Sequence, residues 1–111
     1  MKIELAKKEI VHFVGIGGIG MSGLSLIMKS QGFKVQGSDI SNNKNIERLR
    51  KEKIKIFLKH SKQNLKNATI LVVSSAIKKN NPELIEAKKK KIPIIRRGKM
   101  LASIVSLLKN I

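Results

Sequence analysis

The residues best suited to chemistry form a glycine-rich turn near the start of the chain. The run Gly15-Ile16-Gly17-Gly18-Ile19-Gly20 contains the pattern G-x-G-x-x-G and follows a short, mostly apolar stretch at residues 9–14. In such a pattern the first glycine makes a tight turn, Gly17 lets the backbone approach a phosphate, and Gly20 lets a helix sit close to a strand. N–H groups at the start of the next helix would then hold a pyrophosphate. The pattern therefore predicts nucleotide binding.

An aspartate stands at a suitable distance from this turn. Asp39 follows Gly20 by nineteen residues, about where an acid in a dinucleotide-binding fold accepts hydrogen bonds from a nucleoside sugar. Gly37 and Ser38 precede it, which predicts a second glycine turn that brings backbone close to the ligand. A nicotinamide cofactor is the default ligand of such a site, so a small NAD-binding domain is one alternative.

Strand-like and helix-like stretches alternate along the chain and would position these residues. The predicted strands cover residues 9–14, 34–37, 54–58, 70–73 and 92–95. Apolar residues at helical spacing lie between them, and one helix start is marked by Asn81 as N-cap and Pro82 at the first helical position. Five strands alternating with helices predict a doubly wound α/β domain with a Rossmann-like, five-stranded parallel sheet.

Length and composition limit the classes of protein that fit. A chain of 111 residues accommodates one domain, spanning 1–111, and an apolar content of 41% is enough for a core. The longest apolar run is far below the roughly 20 residues of a membrane helix, so no membrane partner is expected. The chain has no cysteine, and its Met-Lys-Ile-Glu start lacks the apolar stretch of a secretory signal. These features predict a cytoplasmic protein.

The net charge of +17 attracts anions but does not identify which anion the protein binds. Most of the basic residues are lysines in a chain also rich in isoleucine and asparagine, a bias typical of an AT-rich genome acting on solvated positions. Three phenylalanines, with no tyrosine or tryptophan, leave few platforms on which bases could stack. No nucleic-acid partner is expected, and a basic nucleic-acid-binding module is the second alternative.

The sequence lacks the residue constellations of a catalytic centre. The only Gly-Lys pair, Gly98-Lys99, is followed by Met100 rather than by the serine or threonine of a triphosphate-binding loop. No nucleophile with its base, no paired carboxylates and no cluster of metal ligands can be recognised. We therefore predict no catalytic residue and no metal site. His12, on the first strand, is interpreted as a packed or hydrogen-bonded structural residue.

Several sequence blocks occur in a fixed order along essentially the whole chain: 12–24, Gly37-Ser38-Asp39, 72–77, Asn81-Pro82-Glu83 and 92–97. These blocks resemble the amino-terminal, UDP-binding domain of the Mur ligase family, in the branch that joins L-alanine to UDP-N-acetylmuramic acid. The resemblance implies a domain that grips the UDP part of this substrate, not a dinucleotide, in the cytoplasmic steps of peptidoglycan synthesis.

The resemblance also implies which residues contact the substrate. Ser38 and Asp39 would face the uridine. The diphosphate would be held by the glycine loop and the start of the following helix, namely by Gly15, Gly17, Gly18, Ile19, Gly20, Met21 and Ser22.

Three further segments carry implied substrate contacts. His60 and Asn64 resemble the family's His-x-x-x-Asn turn after the third strand, and Arg96 could pair with a phosphate or a carboxylate. Ligands of open α/β sheets bind beyond the carboxyl ends of the strands. At that edge, just past the fourth strand, stand Ser74, Ser75 and Ala76.

The resemblance implies that the ligation itself happens elsewhere. The parent enzyme would use ATP and Mg²⁺ to activate the lactyl carboxylate, which the amine of L-alanine then attacks. The ATP-binding middle domain and the amino-acid-binding last domain would begin after Ile111. This domain would bind no cofactor of its own, and its partners would be UDP-N-acetylmuramic acid and the remaining domains of the ligase.

Overall fold

A computed structural model describes residues 5–109, in which strands and helices alternate. The strands are β1 (Ile10–Val14), β2 (Lys34–Ser38), β3 (Lys55–Phe57), β4 (Ile70–Val73) and β5 (Ile94–Arg96). The helices are α1 (Ile19–Ser30), α2 (Lys44–Lys51), α3 (Pro82–Lys89) and α4 (Arg97–Lys109), and a single 3₁₀ turn, Lys62–Leu65, lies between β3 and β4. Within the described range, no helix has the length and apolar character that crossing a membrane requires.

All five strands are parallel and form one sheet in the order β3-β2-β1-β4-β5. The chain therefore starts in the middle of the sheet, builds outward to β3, and then crosses back to β4 on the other side of β1. The carboxyl ends of β1 and β4 lie side by side at this reversal, which is the position where open α/β sheets bind ligands. The predicted doubly wound, Rossmann-like fold is confirmed.

Alternating side chains of the central strands fill two cores, one on each face of the sheet. On β4, Ile70 and Val72 face the core shared with α1, α2 and α4, whereas Leu71 and Val73 face the core beside α3. Both faces are covered, which explains why this strand is apolar throughout. On β1, His12 is fully buried between Val11 and Phe13, which belong to the first core.

Two strands begin later than predicted because the residues before them complete the preceding helix. The N–H of Ile54 bonds to the carbonyl of Leu49, at 3.1 Å, and the N–H of Ile92 bonds to that of Ala87, at 2.8 Å. In each case the intervening lysine, Lys53 or Lys91, has a φ near +60°, as in the Schellman ending of a helix. The predicted strand starts at residues 54 and 92 therefore belong to helix termini.

Gly37 lies inside β2 and not in a second glycine turn, so that expectation was wrong. A Cβ at this position would stand 2.6 Å from Cδ1 of Ile16 and 2.8 Å from the carbonyl oxygen of Phe13. The missing side chain lets the glycine loop fold down onto the end of β2. Gly20 was expected to let a helix lie close to a strand, whereas the close approach seen at Gly37 is between the glycine loop and β2.

We predict that Gly37→Ala destabilises the protein by about 1–3 kcal/mol, because the new methyl group overpacks against Ile16 and the β1 backbone. Gly23→Ala in α1 is the matched control, since nothing lies within 4 Å of the added Cβ. This control should raise stability by roughly 0.5–1 kcal/mol. Urea unfolding measures both variants. Equal effects of the two substitutions would contradict the packing account.

Candidate functional site: a cleft at the glycine loop

An open cleft of about 390 Å³ lies at the carboxyl edge of the sheet, where β1 passes into α1. Its walls come from the glycine loop, the segment after β2, the segment after β4 and the start of α4. The lining residues are Gly15, Gly17, Gly18, Gly20, Met21, Asp39, Ser41, Asn43, Ser74, Ala76, Ile77 and Arg97.

Two residues at the end of β2 hold three successive N–H groups of the glycine loop. The carbonyl oxygen of Ser38 accepts from the N–H groups of Gly15, at 2.8 Å, and Ile16, at 3.0 Å. Oδ2 of Asp39 accepts from the N–H of Gly17, at 2.7 Å. We call this pair the Ser38–Asp39 clamp. It determines the path of the loop before α1 begins.

The outer side of the clamp is fixed by the residues that follow it. Oδ1 of Asp39 accepts from the N–H of Ser41, at 3.0 Å. Nδ2 of Asn45, on α2, donates to the carbonyl oxygen of Gly17, at 2.9 Å. Side chains thus hold the peptide groups on both sides of Gly17, Asp39 through the N–H and Asn45 through the carbonyl. The second bond connects α2 to the loop.

The loop glycines are required by contacts that differ from those expected. Gly15 has φ +80° and makes the tight turn, as predicted. A Cβ on Gly17 would stand 2.7 Å from Oδ2 of Asp39, so the clamp itself excludes a side chain there. A Cβ on Gly20 would stand 3.0 Å from Nε of Arg97. Gly20 therefore makes room for a guanidinium group and not for a strand.

The start of α1 presents unpaired hydrogen-bond donors. Gly18 is the N-cap residue, and no side chain caps the helix. The N–H groups of the first turn, on Ile19, Gly20 and Met21, have no acceptor within the helix. No acidic residue lies in the first turn of α1 or of α4. This end of the cleft combines N–H donors, the positive end of a helix dipole and the Arg97 guanidinium, an arrangement suited to an anion.

The structure brings most of the predicted site residues to the cleft. Those that line it are Gly15, Gly17, Gly18, Gly20, Met21, Asp39, Ser74 and Ala76. Ile19 projects into solvent with 89% of its surface exposed, and Ser75 is also exposed. Ser22 is buried, and its hydroxyl donates to the carbonyl of Ile19, at 3.1 Å. These last three residues do not line the cleft.

Arg97 occupies the place that was predicted for Arg96. Arg96 ends β5, pairs with Val73 of β4 and is exposed away from the cleft. Arg97 begins α4 and lies against Gly20. The sequence alone does not distinguish the two adjacent arginines. Which of them reaches the cleft depends on where β5 ends. Ser41, Asn43 and Ile77 also line the cleft but were not predicted as site residues. No motif marks Ser41 or Asn43, and Ile77 lies in the block 72–77 without an expected contact.

A fully buried carboxylate lies beneath the cleft. Oε1 of Glu83 accepts from Nε2 of His12, at 2.7 Å, and from Oγ of Ser38, at 2.6 Å. Oε2 accepts from the N–H of Ser61, at 3.0 Å, and from Nδ2 of Asn64, at 2.7 Å. We call these groups the Glu83 network. All four lone-pair directions of the carboxylate are used, which is how an ionised group can be kept away from water.

The two histidines have different places in this network. Nδ1 of His12 accepts from Nε2 of Gln36, at 2.8 Å, so that Nε2 of His12 carries the proton donated to Glu83. This confirms the interpretation of His12 as a hydrogen-bonded structural residue. His60, 17% exposed, donates from Nδ1 to Oγ of Ser38, at 2.9 Å. Its turn with Asn64 is formed, since Nδ2 of Asn64 also donates to the carbonyl of Lys59, at 2.7 Å.

Ser38 and His60 therefore lie below the cleft rather than in its wall. The Ser38 side chain is fully buried and points toward Glu83, so its hydroxyl does not face a ligand. In the sequence, Glu83 was named only as the last residue of the block Asn81-Pro82-Glu83. Its position directly after Asn81-Pro82 marked the helix start, but nothing in the sequence indicated that the side chain turns inward.

Comparison with known proteins assigns the chain to a family. The profile described as "Mur ligase family, catalytic domain" matches residues 10–108. The chain belongs to the Mur ligase family. The resemblance inferred from the sequence blocks is thereby confirmed.

Individual members of the family are closely similar to this chain. It is 73% identical over 111 residues to the UDP-N-acetylmuramate-L-alanine ligase of Pelagibacter ubique, covering 100% of this chain and 24% of that protein. It is 57% identical over 97 residues to the ligase of the same name from Rickettsia typhi, covering 87% and 20% of the two proteins.

A solved structure from the same family has the same fold. The crystal structure of UDP-N-acetylmuramate-alanine ligase MurC from Thermotoga maritima superimposes with a TM-score of 0.79 at 38% identity, over 90% of this chain and 23% of that one. The chain thus spans about a quarter of the length of the relatives that it matches.

We predict an acid-dependent loss of stability that originates at Glu83. Burial raises the pKa of this carboxyl, but the hydrogen bonds from His12, Ser38 and Asn64 together outweigh burial and hold the pKa below its ordinary value. A lowered pKa adds stability above the ordinary pKa of glutamate, near 4.3, and this stability is lost as the pH falls through the folded-state value.

Glu83→Gln tests this assignment. The variant should be less stable at pH 7 by roughly 1–3 kcal/mol, because an amide group cannot accept all of these hydrogen bonds. It should also lose less stability than the unmodified chain between pH 6 and pH 3, so that the two curves converge. Parallel curves in urea unfolding would show that Glu83 does not carry the pH dependence.

Proposed function

We propose that the cleft binds the diphosphate of UDP-N-acetylmuramic acid, and that this chain is the substrate-gripping part of a UDP-N-acetylmuramate-L-alanine ligase. The observation that carries the proposal is the uncapped start of α1 facing the guanidinium of Arg97 across Gly20. The names of the Pelagibacter and Rickettsia relatives support the choice of substrate.

The geometry suits a diphosphate in particular. Gly20 and Met21 of the first turn of α1 line the cleft together with Arg97, whose guanidinium lies against Gly20. An arginine binds phosphate oxygens through two parallel hydrogen bonds, and backbone N–H groups at a helix start add to the positive potential. The net charge of +17 attracts the dianion at long range.

Asp39 is the group we assign to the nucleoside. Its two oxygens each accept one hydrogen bond, from Gly17 and from Ser41. A carboxylate oxygen has two lone pairs, so a sugar hydroxyl can donate to Asp39 without breaking the clamp. Ser38 then acts from beneath the cleft and not as a direct ligand.

The ligation step requires groups that the described residues do not offer. Among residues 5–109, no three His, Cys, Asp or Glu side chains lie together as metal ligands. Gly98-Lys99-Met100 lies in the first turns of α4 and is not a loop that could cradle a triphosphate. We therefore assign the ATP and Mg²⁺ of the whole enzyme to parts outside this chain. Holding the remote UDP group would orient the lactyl carboxylate for reaction there.

Titration calorimetry with three ligands tests the proposed function. We expect heat of binding with UDP-N-acetylmuramic acid and none with NADH or with duplex DNA at 150 mM salt. Binding of NADH alone would identify a dinucleotide domain. Binding of DNA that falls steeply with salt concentration would identify a nucleic-acid module.

The two neighbouring arginines supply a matched pair of variants. Arg97→Gln should weaken binding of UDP-N-acetylmuramic acid by about ten- to a hundredfold, the cost of losing a charge-assisted hydrogen bond to phosphate. Arg96→Gln removes the same charge one residue away, outside the cleft, and should leave the affinity unchanged. A loss of affinity that is equal in the two variants would mean that only the overall charge matters.

A further inference from the structure

We propose that Glu83 is a positioning residue of the cleft, which sets the direction of the loop N–H groups through Ser38. The proposal deepens the proposed function, because it states what keeps the diphosphate site in shape. It rests on two connected observations: the position of Ser38 and the set of groups that hold Glu83.

Ser38 connects the buried carboxylate to the glycine loop. Its hydroxyl donates to Oε1 of Glu83, at 2.6 Å. Its carbonyl oxygen accepts from the N–H groups of Gly15 and Ile16. The residue is fully buried and ends β2. A change in the orientation of Ser38 would therefore move the loop N–H groups and remove one of the four donors to the Glu83 carboxylate.

Glu83 is itself fixed by donors from separate parts of the chain. His12 reaches it from β1, Ser38 from β2, and Ser61 and Asn64 from the turn that follows β3. The N–H of Glu83 is also bonded, at 2.9 Å, to the side chain of the N-cap residue that starts α3. One carboxylate thus joins the middle of β1, the end of β2, the turn after β3 and the start of α3 beneath the cleft.

The pairing of the central strands is made by main-chain groups alone. The main-chain pairing of β1 with β2 and with β4 is complete without any side chain of the network. Replacing a buried charge by apolar groups is often neutral for stability. The network adds one defined orientation of Ser38 at the end of β2. Because all of its hydrogen bonds are satisfied, other orientations of Ser38 are disfavoured.

The network also reaches the surface on one side. Nδ1 of His60 donates to the same Ser38 hydroxyl, at 2.9 Å, and lies 3.8 Å from Oε2 of Glu83. His60 is therefore a second support of Ser38, and the titratable groups facing Glu83 are His12 and His60. No other ionisable side chain within residues 5–109 lies within ion-pair distance of this carboxylate.

Three variants separate positioning from a purely structural role. Glu83→Gln places an NH₂ group against donors, and Ser38→Ala removes only the hydroxyl. Leu84→Ala is the control, since Leu84 lies beside Glu83 on α3 but packs in the core on that face of the sheet. The readouts are the ¹⁵N–¹H signals of Gly15, Ile16 and Gly17, the affinity for UDP-N-acetylmuramic acid and the urea midpoint.

We expect Glu83→Gln and Ser38→Ala to shift these three amide signals and to weaken binding by about tenfold. Leu84→Ala should lower the urea midpoint while leaving the three signals and the affinity unchanged. If Glu83→Gln does not fold, Ser38→Ala decides the matter alone. Unshifted loop signals and unchanged affinity in Ser38→Ala would overturn the proposal. If the unmodified chain fails to bind the nucleotide sugar, the proposed function fails, and the amide signals still test the positioning role.

Discussion

The candidate site depends on the hydrogen bonds by which two residues at the end of β2 hold the loop after β1. Val14 and Ser38 lie opposite each other at the ends of their strands, so the first loop N–H groups continue the sheet pairing onto the Ser38 carbonyl. Asp39 then takes the N–H of Gly17. The next N–H groups, those of the first turn of α1, have no acceptor within the helix, and two of them belong to Gly20 and Met21, which line the cleft.

This clamp explains residue choices that are far apart in the sequence. Gly17 has no room for a Cβ because of the Asp39 carboxylate, and Gly37 has none because of Ile16. Asn45 on α2 holds the other side of the Gly17 peptide. Ser38, the first residue of the clamp, is held from beneath the cleft by Glu83. An anion site made of backbone donors keeps its geometry only when the backbone is held in this way, since N–H groups have no freedom of their own.

The sequence was sufficient for the fold, and most of the residues that it marked as a site line one cleft. The glycine pattern, the apolar run of β4 and the Asn81-Pro82 helix start are local signals, and the structure has each of them where it was predicted. The features that the sequence did not indicate depend on contacts between elements. The choice between Arg96 and Arg97 depends on where β5 ends. The inward turn of Glu83 depends on donors from β1, β2 and the turn after β3, which no local pattern shows.

The most direct test of the cleft as the diphosphate site is an NMR titration of the chain labelled with ¹⁵N at glycine alone. The chain contains 8 glycines. Added UDP-N-acetylmuramic acid should shift the amide signals of Gly18 and Gly20 strongly, and those of Gly15 and Gly17 to a smaller extent. Gly23 and Gly32, which do not line the cleft, should keep their positions. Saturable binding that shifts Gly23 or Gly32 and leaves the loop glycines unchanged would contradict the assignment of this cleft as the diphosphate site.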